Sequence, residues 1–102
     1  MDRVAMLQEI LAQNPNDPFA RYGLALEYVN KGEIETGLSE FARLLAATPD
    51  YTPAYQMWAQ TLMKAGRNDE ARKVLDDGIA CAIRARNQHA QSEMEAMLDE
   101  LR

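Results

Sequence analysis

The apolar positions of this chain fall at helical spacing in six successive stretches, separated by short polar punctuation. Residues 2 to 13 carry Val4, Leu7, Ile10 and Leu11, and Asn14-Pro15-Asn16-Asp17-Pro18 then stops the helix and turns the chain. Asp17 is a good N-cap and Pro18 a good first helical residue, since its missing N–H would have no intrahelical partner there. That second helix is expected to run to about Asn30 and to close at Lys31-Gly32, where glycine can take a positive φ. A third, opened by Glu33, bears Ile34, Leu38, Phe41, Leu44 and Leu45 and ends at Thr48-Pro49-Asp50. Thr52 as N-cap with Pro53 behind it predicts a fourth helix to about Ala65, stopped at Gly66. Asn68 or Asp69 is expected to cap a fifth, with Ala71, Val74, Leu75, Ile79 and Ile83, running to about Arg86. A break at Asn87-Gln88 is expected to leave a sixth with Ala90, Met94, Met97, Leu98 and Leu101, the alternative being one helix unbroken across Asn87.

The pattern repeats. Shifted by 34 residues, Leu24 falls on Trp58, Ala25 on Ala59, Tyr28 on Leu62, Gly32 on Gly66, Gly37 on Ala71 and Phe41 on Leu75. The same shift carries Pro15 onto Pro49 and Asn16-Asp17 onto Asp50-Tyr51. Connections of two to five residues force each helix antiparallel to the one before it, so the stretches pair into hairpins. Within each pair the small residues, Ala25 with Gly37 and Ala59 with Ala71, permit close approach. The large ones, Tyr28 with Phe41 and Trp58 with Leu75, are expected to fill the space beside them. A buried Trp58 would make Trp58→Ala cost about 3 to 5 kcal/mol.

A 34-residue helical hairpin with Leu24-Ala25-x-x-Tyr28, Gly32-Glu33, Gly37, Phe41 and a closing Pro49 resembles the tetratricopeptide repeat, and Trp58-Ala59-x-x-Leu62, Gly66, Asp69-Glu70-Ala71 and Leu75 look like a second copy. The resemblance implies an all-α fold, an α-solenoid of antiparallel helix hairpins with about six helices, in a single domain over residues 1–102. Residues 2–13 would be the second helix of a preceding unit, 18–49 and 52–86 two full repeats, and 88–101 a terminal capping helix. The sequence departs from the family pattern at Gly37, which stands for the usual alanine at about 1 kcal/mol of helix propensity. It departs again at Arg21, where a large apolar residue is common, and at Ile83, where a closing proline is expected.

The resemblance also implies a function without catalysis: a protein–protein interaction module that holds a peptide or partner helix in a concave groove lined by the first helix of each pair. The residues that would line it are Phe19, Tyr22, Leu26, Val29 and Asn30 in the first repeat, and Gln56, Met57, Gln60, Met63 and Lys64 in the second. This set is mainly apolar, with adaptable methionines. Tyr22 and Leu26 stand where the family's carboxylate-gripping variants begin their clamp, which argues against that mode. The same stripe read as ordinary core would be covered by the terminal helices. If exposed, it forms a patch that calls for a partner or a second copy, so a homodimer through the groove or the terminal helices is the alternative.

Composition narrows the remaining classes. At 102 residues, 47% hydrophobic and 26% charged, the chain is one small globular domain's worth of sequence. A net charge of −5 with no basic stripe argues against nucleic acid, and the longest apolar runs, such as Leu44 to Ala47, are too short for a membrane. Met1-Asp2-Arg3 leads into no signal-peptide core, since Gln8 and Glu9 interrupt it, so a cytoplasmic location is expected. The single Cys81 fits a reducing compartment and reads as a packed thiol. His89 is the only histidine and has no partner at ligand spacing, so neither metal nor cofactor is expected. Asp76, Asp77, Glu93, Glu95, Asp99 and Glu100 read as solvated helix faces, and Glu9, Glu27 and Glu40 as ordinary surface charges.

Overall fold

A computed structural model describes residues 2–102, which form six α-helices and, among the described residues, no strand. They are α1 (Arg3–Gln13), α2 (Pro18–Asn30), α3 (Ile34–Ala47), α4 (Thr52–Lys64), α5 (Asn68–Arg84) and α6 (Gln88–Glu100). The chain divides into two compact units, Met1–Thr48 with α1 to α3 and Pro49–Arg102 with α4 to α6.

The helix starts are chemically uneven. Asp2, Asp17 and Asn87 each cap a helix through a side-chain oxygen, accepting from the amides of Ala5, Ala20 and Ala90. The caps expected at Thr52 and at Asn68 or Asp69 do not form: Thr52 and Asn68 are already the first helical residues, Tyr51 and Arg67 occupy the cap positions, and no side chain bonds there. Thr52 is turned inward instead, its hydroxyl lying 3.4 Å from the Asp50 carbonyl and 3.4 Å from the buried Cys81 thiol.

Three of the helix stops share one geometry. After α2, α4 and α5 one residue adopts a positive φ: Gly32 at 84°, Gly66 at 75° and Arg86 at 56°. Each stop makes the same two bonds. The Gly32 and Glu33 amides donate to the Val29 and Tyr28 carbonyls, those of Gly66 and Arg67 to Met63 and Leu62, and those of Arg86 and Asn87 to Ile83 and Ala82. The break at Asn87 is therefore a third copy of the glycine stop, built with an arginine that bears the steric cost of the left-handed conformation.

In unit 1, α2 packs against both α1 and α3. Leu7 and Leu11 meet Ala20 and Leu24, with Val4 and Tyr28 against the edge of this cluster. On the other side Ala25 is fully buried and Gly37 sits so close to α2 that an added Cβ would lie 2.6 Å from a Val29 methyl and 3.2 Å from the Ala25 carbonyl oxygen. Valine has one strongly favoured rotamer in a helix, so that methyl cannot step aside freely. Gly37 thus exchanges helix propensity for close approach. The expected Tyr28–Phe41 pairing is replaced: the ring beside Phe41 is that of Tyr22, with centroids 6.3 Å apart and planes tilted by 59°. Tyr28 turns toward α1, where its hydroxyl accepts from the Gln8 side-chain amide at 3.2 Å.

In unit 2, α5 is the central helix, packed on α4 and α6. Its buried apolar residues include Ala54, Ala59, Leu62, Ala71, Leu75, Ala82 and Met94, with Cys81 among them. Gly78 performs here the role of Gly37, since a Cβ would lie 2.6 Å from the Met94 sulfur and 2.7 Å from the Tyr55 Cβ. Trp58, expected in the core beside Leu75, is only half-buried and lines a surface hollow with Leu62 and Val74. The cost of Trp58→Ala accordingly falls below the fully buried range. Ile10 and Ile83, placed on apolar stripes by spacing, are exposed, because no helix among those packed on α1 and α5 covers them.

The two units solve one packing problem by different chemistry. Arg21 and Tyr55 are equivalent under the 34-residue shift, and so are Pro15 and Pro49. The Tyr55 hydroxyl donates to the Pro49 carbonyl at 2.7 Å, and the Arg21 guanidinium donates to the Pro15 carbonyl at 2.9 Å. Each ties the inter-helix proline to the following helix. Burial pushes the Tyr55 phenol above its ordinary pKa. Arg21 brings a charge that Tyr55 does not, and Glu40, at the position of the buried Val74, neutralises it at 2.6 Å. Both side chains are only 10% exposed, so Glu40 is a buried ion-pair partner and not the surface charge expected of it.

Candidate functional site

In unit 1 the five expected partner-binding residues, Phe19, Tyr22, Leu26, Val29 and Asn30, follow the helical repeat along one side of α2. Phe19 is 70% exposed, and Asn30 is exposed at the other end. Tyr22, Leu26 and Val29 are half-buried between them. Tyr22 lends one side of its ring to Phe41, and Val29 abuts Gly37, so these two serve the α2–α3 interface as well as the outer face. The opposite side of α2, with Ala20, Leu24 and Ala25, is buried. A helix with an apolar stripe on its outer side as well has more hydrophobic surface than the unit's own helices cover.

In unit 2, Gln56, Met57, Gln60, Met63 and Lys64 likewise share one side of α4. Gln60 and Lys64 are exposed; Gln56, Met57 and Met63 are half-buried. Gln56 is engaged within the unit, donating to the Glu93 carboxylate of α6 at 3.1 Å, and Glu93 also pairs with His89 one turn earlier. Glu93 is therefore an α4–α6 link and not merely a solvated acid, and α6 holds one end of the face that Gln56 was expected to present.

Two surface hollows, one in each unit, share four lining positions under the 34-residue shift. That of unit 1, about 310 Å³, is lined by Gln8, Leu11, Ala12, Pro15, Arg21, Leu24, Tyr28, Glu40 and Arg43. That of unit 2, about 290 Å³, is lined by Trp58, Leu62, Glu70, Lys73, Val74 and Asp77. Leu24, Tyr28, Glu40 and Arg43 map onto Trp58, Leu62, Val74 and Asp77 under the 34-residue shift. In the second hollow Arg67 bonds to Glu70 and holds that carboxyl below its ordinary pKa. The hollows were not foreseen from sequence; the signal available was Arg21, a charge at a position that otherwise takes a large apolar side chain.

Cys81 is buried against Thr52, and no histidine, cysteine, aspartate or glutamate cluster among the described residues has three members placed to hold a metal ion. Among the same residues no helix is long and apolar enough to cross a membrane.

Comparison with known proteins agrees with this architecture. Residues 31–98 match the family model of the tetratricopeptide repeat. A TPR repeat-containing protein of Pseudomonas aeruginosa is 25% identical over 95 residues, covering 93% of this chain and 90% of that protein. The solution structure of a tetratricopeptide repeat domain protein from Salinibacter ruber superposes with a TM-score of 0.81 at 28% identity, covering 86% of this chain and 89% of that one. A protein from Bordetella parapertussis shares the fold with a TM-score of 0.81 at 24% identity, covering 99% and 88%. Repeats of this kind serve in general as scaffolds for protein–protein interaction, typically without catalysis, because stacked hairpins expose extended helix faces to a partner. A matched family model over about two thirds of the sequence, from α3 to α6, places this chain in the tetratricopeptide repeat family.

Proposed function

We propose that the outer face of α2 binds a peptide or partner helix, with Phe19 and Leu26 as its apolar anchors, and that the matching face of α4 in unit 2, with Met57, Gln60, Met63 and Lys64, is a binding surface of its own. The observation that carries this reading is Phe19: a phenylalanine 70% exposed on a helix whose opposite side is already buried. Aromatic anchors of this kind dominate the energetics of helix-in-groove recognition. Tyr22, Val29, Asn30 and Gln56 contribute shape at the edges, each of the first two also packing inward. The test is a peptide selected by display against the wild-type chain. Phe19→Glu and Leu26→Glu are expected to weaken its binding by at least about tenfold, the scale of a lost apolar anchor, with the helical circular dichroism unchanged. Undiminished binding by these folded variants rules out the α2 face.

A second reading is favoured by α1, where Met6 and Ile10 are both exposed, 51% and 45%, one turn apart. Self-association through this helix would cover them. Light scattering across a concentration series decides it: a strict monomer at high micromolar concentration removes the homodimer, and a dimer dissolved by Ile10→Asp supports it.

A further inference from the structure

We infer that the hollow of unit 1 is a binding site for a single carboxylate group, held by Arg43 and by the hydroxyl of Tyr28, which Gln8 orients. Arg21 and Arg43 both lie against Glu40, at 2.6 Å and 3.3 Å, so two guanidinium groups share one carboxylate and the hollow keeps one positive charge in excess. Arg21 is committed: one nitrogen goes to Glu40 and another to the Pro15 carbonyl, and the side chain is buried. Arg43 is not. Its side chain is 65% exposed and its contact to Glu40 uses one nitrogen of the fork. Beside it, Tyr28 accepts from the Gln8 amide at 3.2 Å, which leaves the phenol O–H to be donated. The hollow thus offers the remaining Arg43 donors and the Tyr28 hydroxyl over a floor of Leu11, Leu24 and Ala12.

At the four lining positions that the two hollows share, unit 2 carries different chemistry. There Val74 stands for Glu40, Asp77 for Arg43 and Leu62 for Tyr28, and the proline carbonyl is tied by a neutral phenol. Tying Pro15 accounts for Arg21, and neutralising Arg21 accounts for Glu40; neither accounts for Arg43 or for the Tyr28–Gln8 pair. The excess charge selects the ligand. One carboxylate balances it, whereas a phosphate dianion would exceed it and lie against Glu40. The planar fork of arginine also matches a carboxylate in two-point contact. The group would come from an acidic side chain or from the C-terminus of a partner, and it docks apart from the α2 stripe of Phe19 and Leu26.

The test is an NMR titration of the full chain at fixed ionic strength, following the Arg43 Nε–H and the Gln8 side-chain amide. N-acetylalanine presents a C-terminal carboxylate, the α-amide of N-acetylglutamic acid presents a side-chain one, and N-acetylalaninamide is the neutral control. Saturable shifts with either acid and none with the control support the site, and the acid that binds tighter identifies the source. Arg43→Gln is expected to lose at least about tenfold in affinity, the fold-change of one charge-assisted hydrogen bond. Arg43→Lys is expected to retain part of it and Tyr28→Phe to weaken it, all three with unchanged circular dichroism. Shifts linear in concentration, binding undiminished in folded Arg43→Gln, or tighter binding of inorganic phosphate than of both acids overturns the proposal. Because Phe19 and Leu26 lie outside the hollow, Phe19→Glu is expected to leave this titration unchanged.

Discussion

The buried pair of Arg21 and Glu40 lends itself to a decisive experiment because unit 2 supplies its replacement. The perturbation is a cycle of Arg21→Tyr, Glu40→Val and the two together, importing Tyr55 and Val74 into unit 1. Removing one member of a buried ion pair costs about 3 to 5 kcal/mol when the other is left uncompensated. Here each member keeps a residual partner: Glu40 retains Arg43 at 3.3 Å and Arg21 retains the Pro15 carbonyl at 2.9 Å. Each single variant is therefore expected to lose about 2 to 4 kcal/mol, with Glu40→Val the worse, because a carbonyl compensates a guanidinium less than an arginine compensates a carboxylate. The double variant has no buried charge left, and a tyrosine at position 21 is placed to reach the Pro15 carbonyl as Tyr55 reaches that of Pro49. Its stability is expected within about 1 kcal/mol of wild type, since apolar replacements of buried pairs are often neutral or better. Urea unfolding followed by circular dichroism at 222 nm reads all four proteins, with the slopes compared to confirm that the same surface is exposed. A double variant less stable than the worse single one would refute the reasoning, showing that the position needs the ion pair itself and not a tie to Pro15 plus a neutral neighbour.

Two further outcomes follow from backbone geometry. Arg86 holds a φ of 56° in a stop otherwise built on glycine, so Arg86→Gly is expected to raise stability by about 0.5 to 1 kcal/mol, measurable as a higher urea midpoint at constant slope. Gly78→Ala is expected to lower stability by about 1 to 3 kcal/mol in thermal unfolding, although alanine is the better helix former, because the new methyl meets the Tyr55 Cβ, an atom that no rotamer change removes. A stabilised Gly78→Ala would show that α4 and α5 can separate at little cost.

The number of helices, their order and the bounds of all six to within about two residues were legible in the sequence, because apolar spacing, proline and glycine act over a few residues. The repeat itself was legible for the same reason: positions 34 apart carry side chains of one size. Partner choice within the core was less so. Tyr28 and Tyr22 both lie on α2, and only the packing of α2 between α1 and α3 decides that Tyr22 takes the aromatic contact with Phe41 while Tyr28 turns to Gln8. The same holds for the α2 stripe, where spacing named Phe19, Tyr22, Leu26 and Val29 together but packing separates an exposed anchor from residues partly used inside.

What the sequence by itself determined is therefore the set of helices and most of the positions each one buries, since both depend on local propensity and periodicity, although Ile10, Ile83 and Trp58 fall outside the core. The tertiary structure alone decided the fate of the charges. Glu40 looked like any acid on a helix surface, and nothing within its own helix distinguishes it from Glu35, which is exposed. Its burial, its pairing with Arg21 and the excess charge left on Arg43 arise only when residues 19 positions apart are brought within hydrogen-bonding distance. A charge's cost or value depends on how much water its neighbours remove, which is a property of the assembled fold and not of the local sequence.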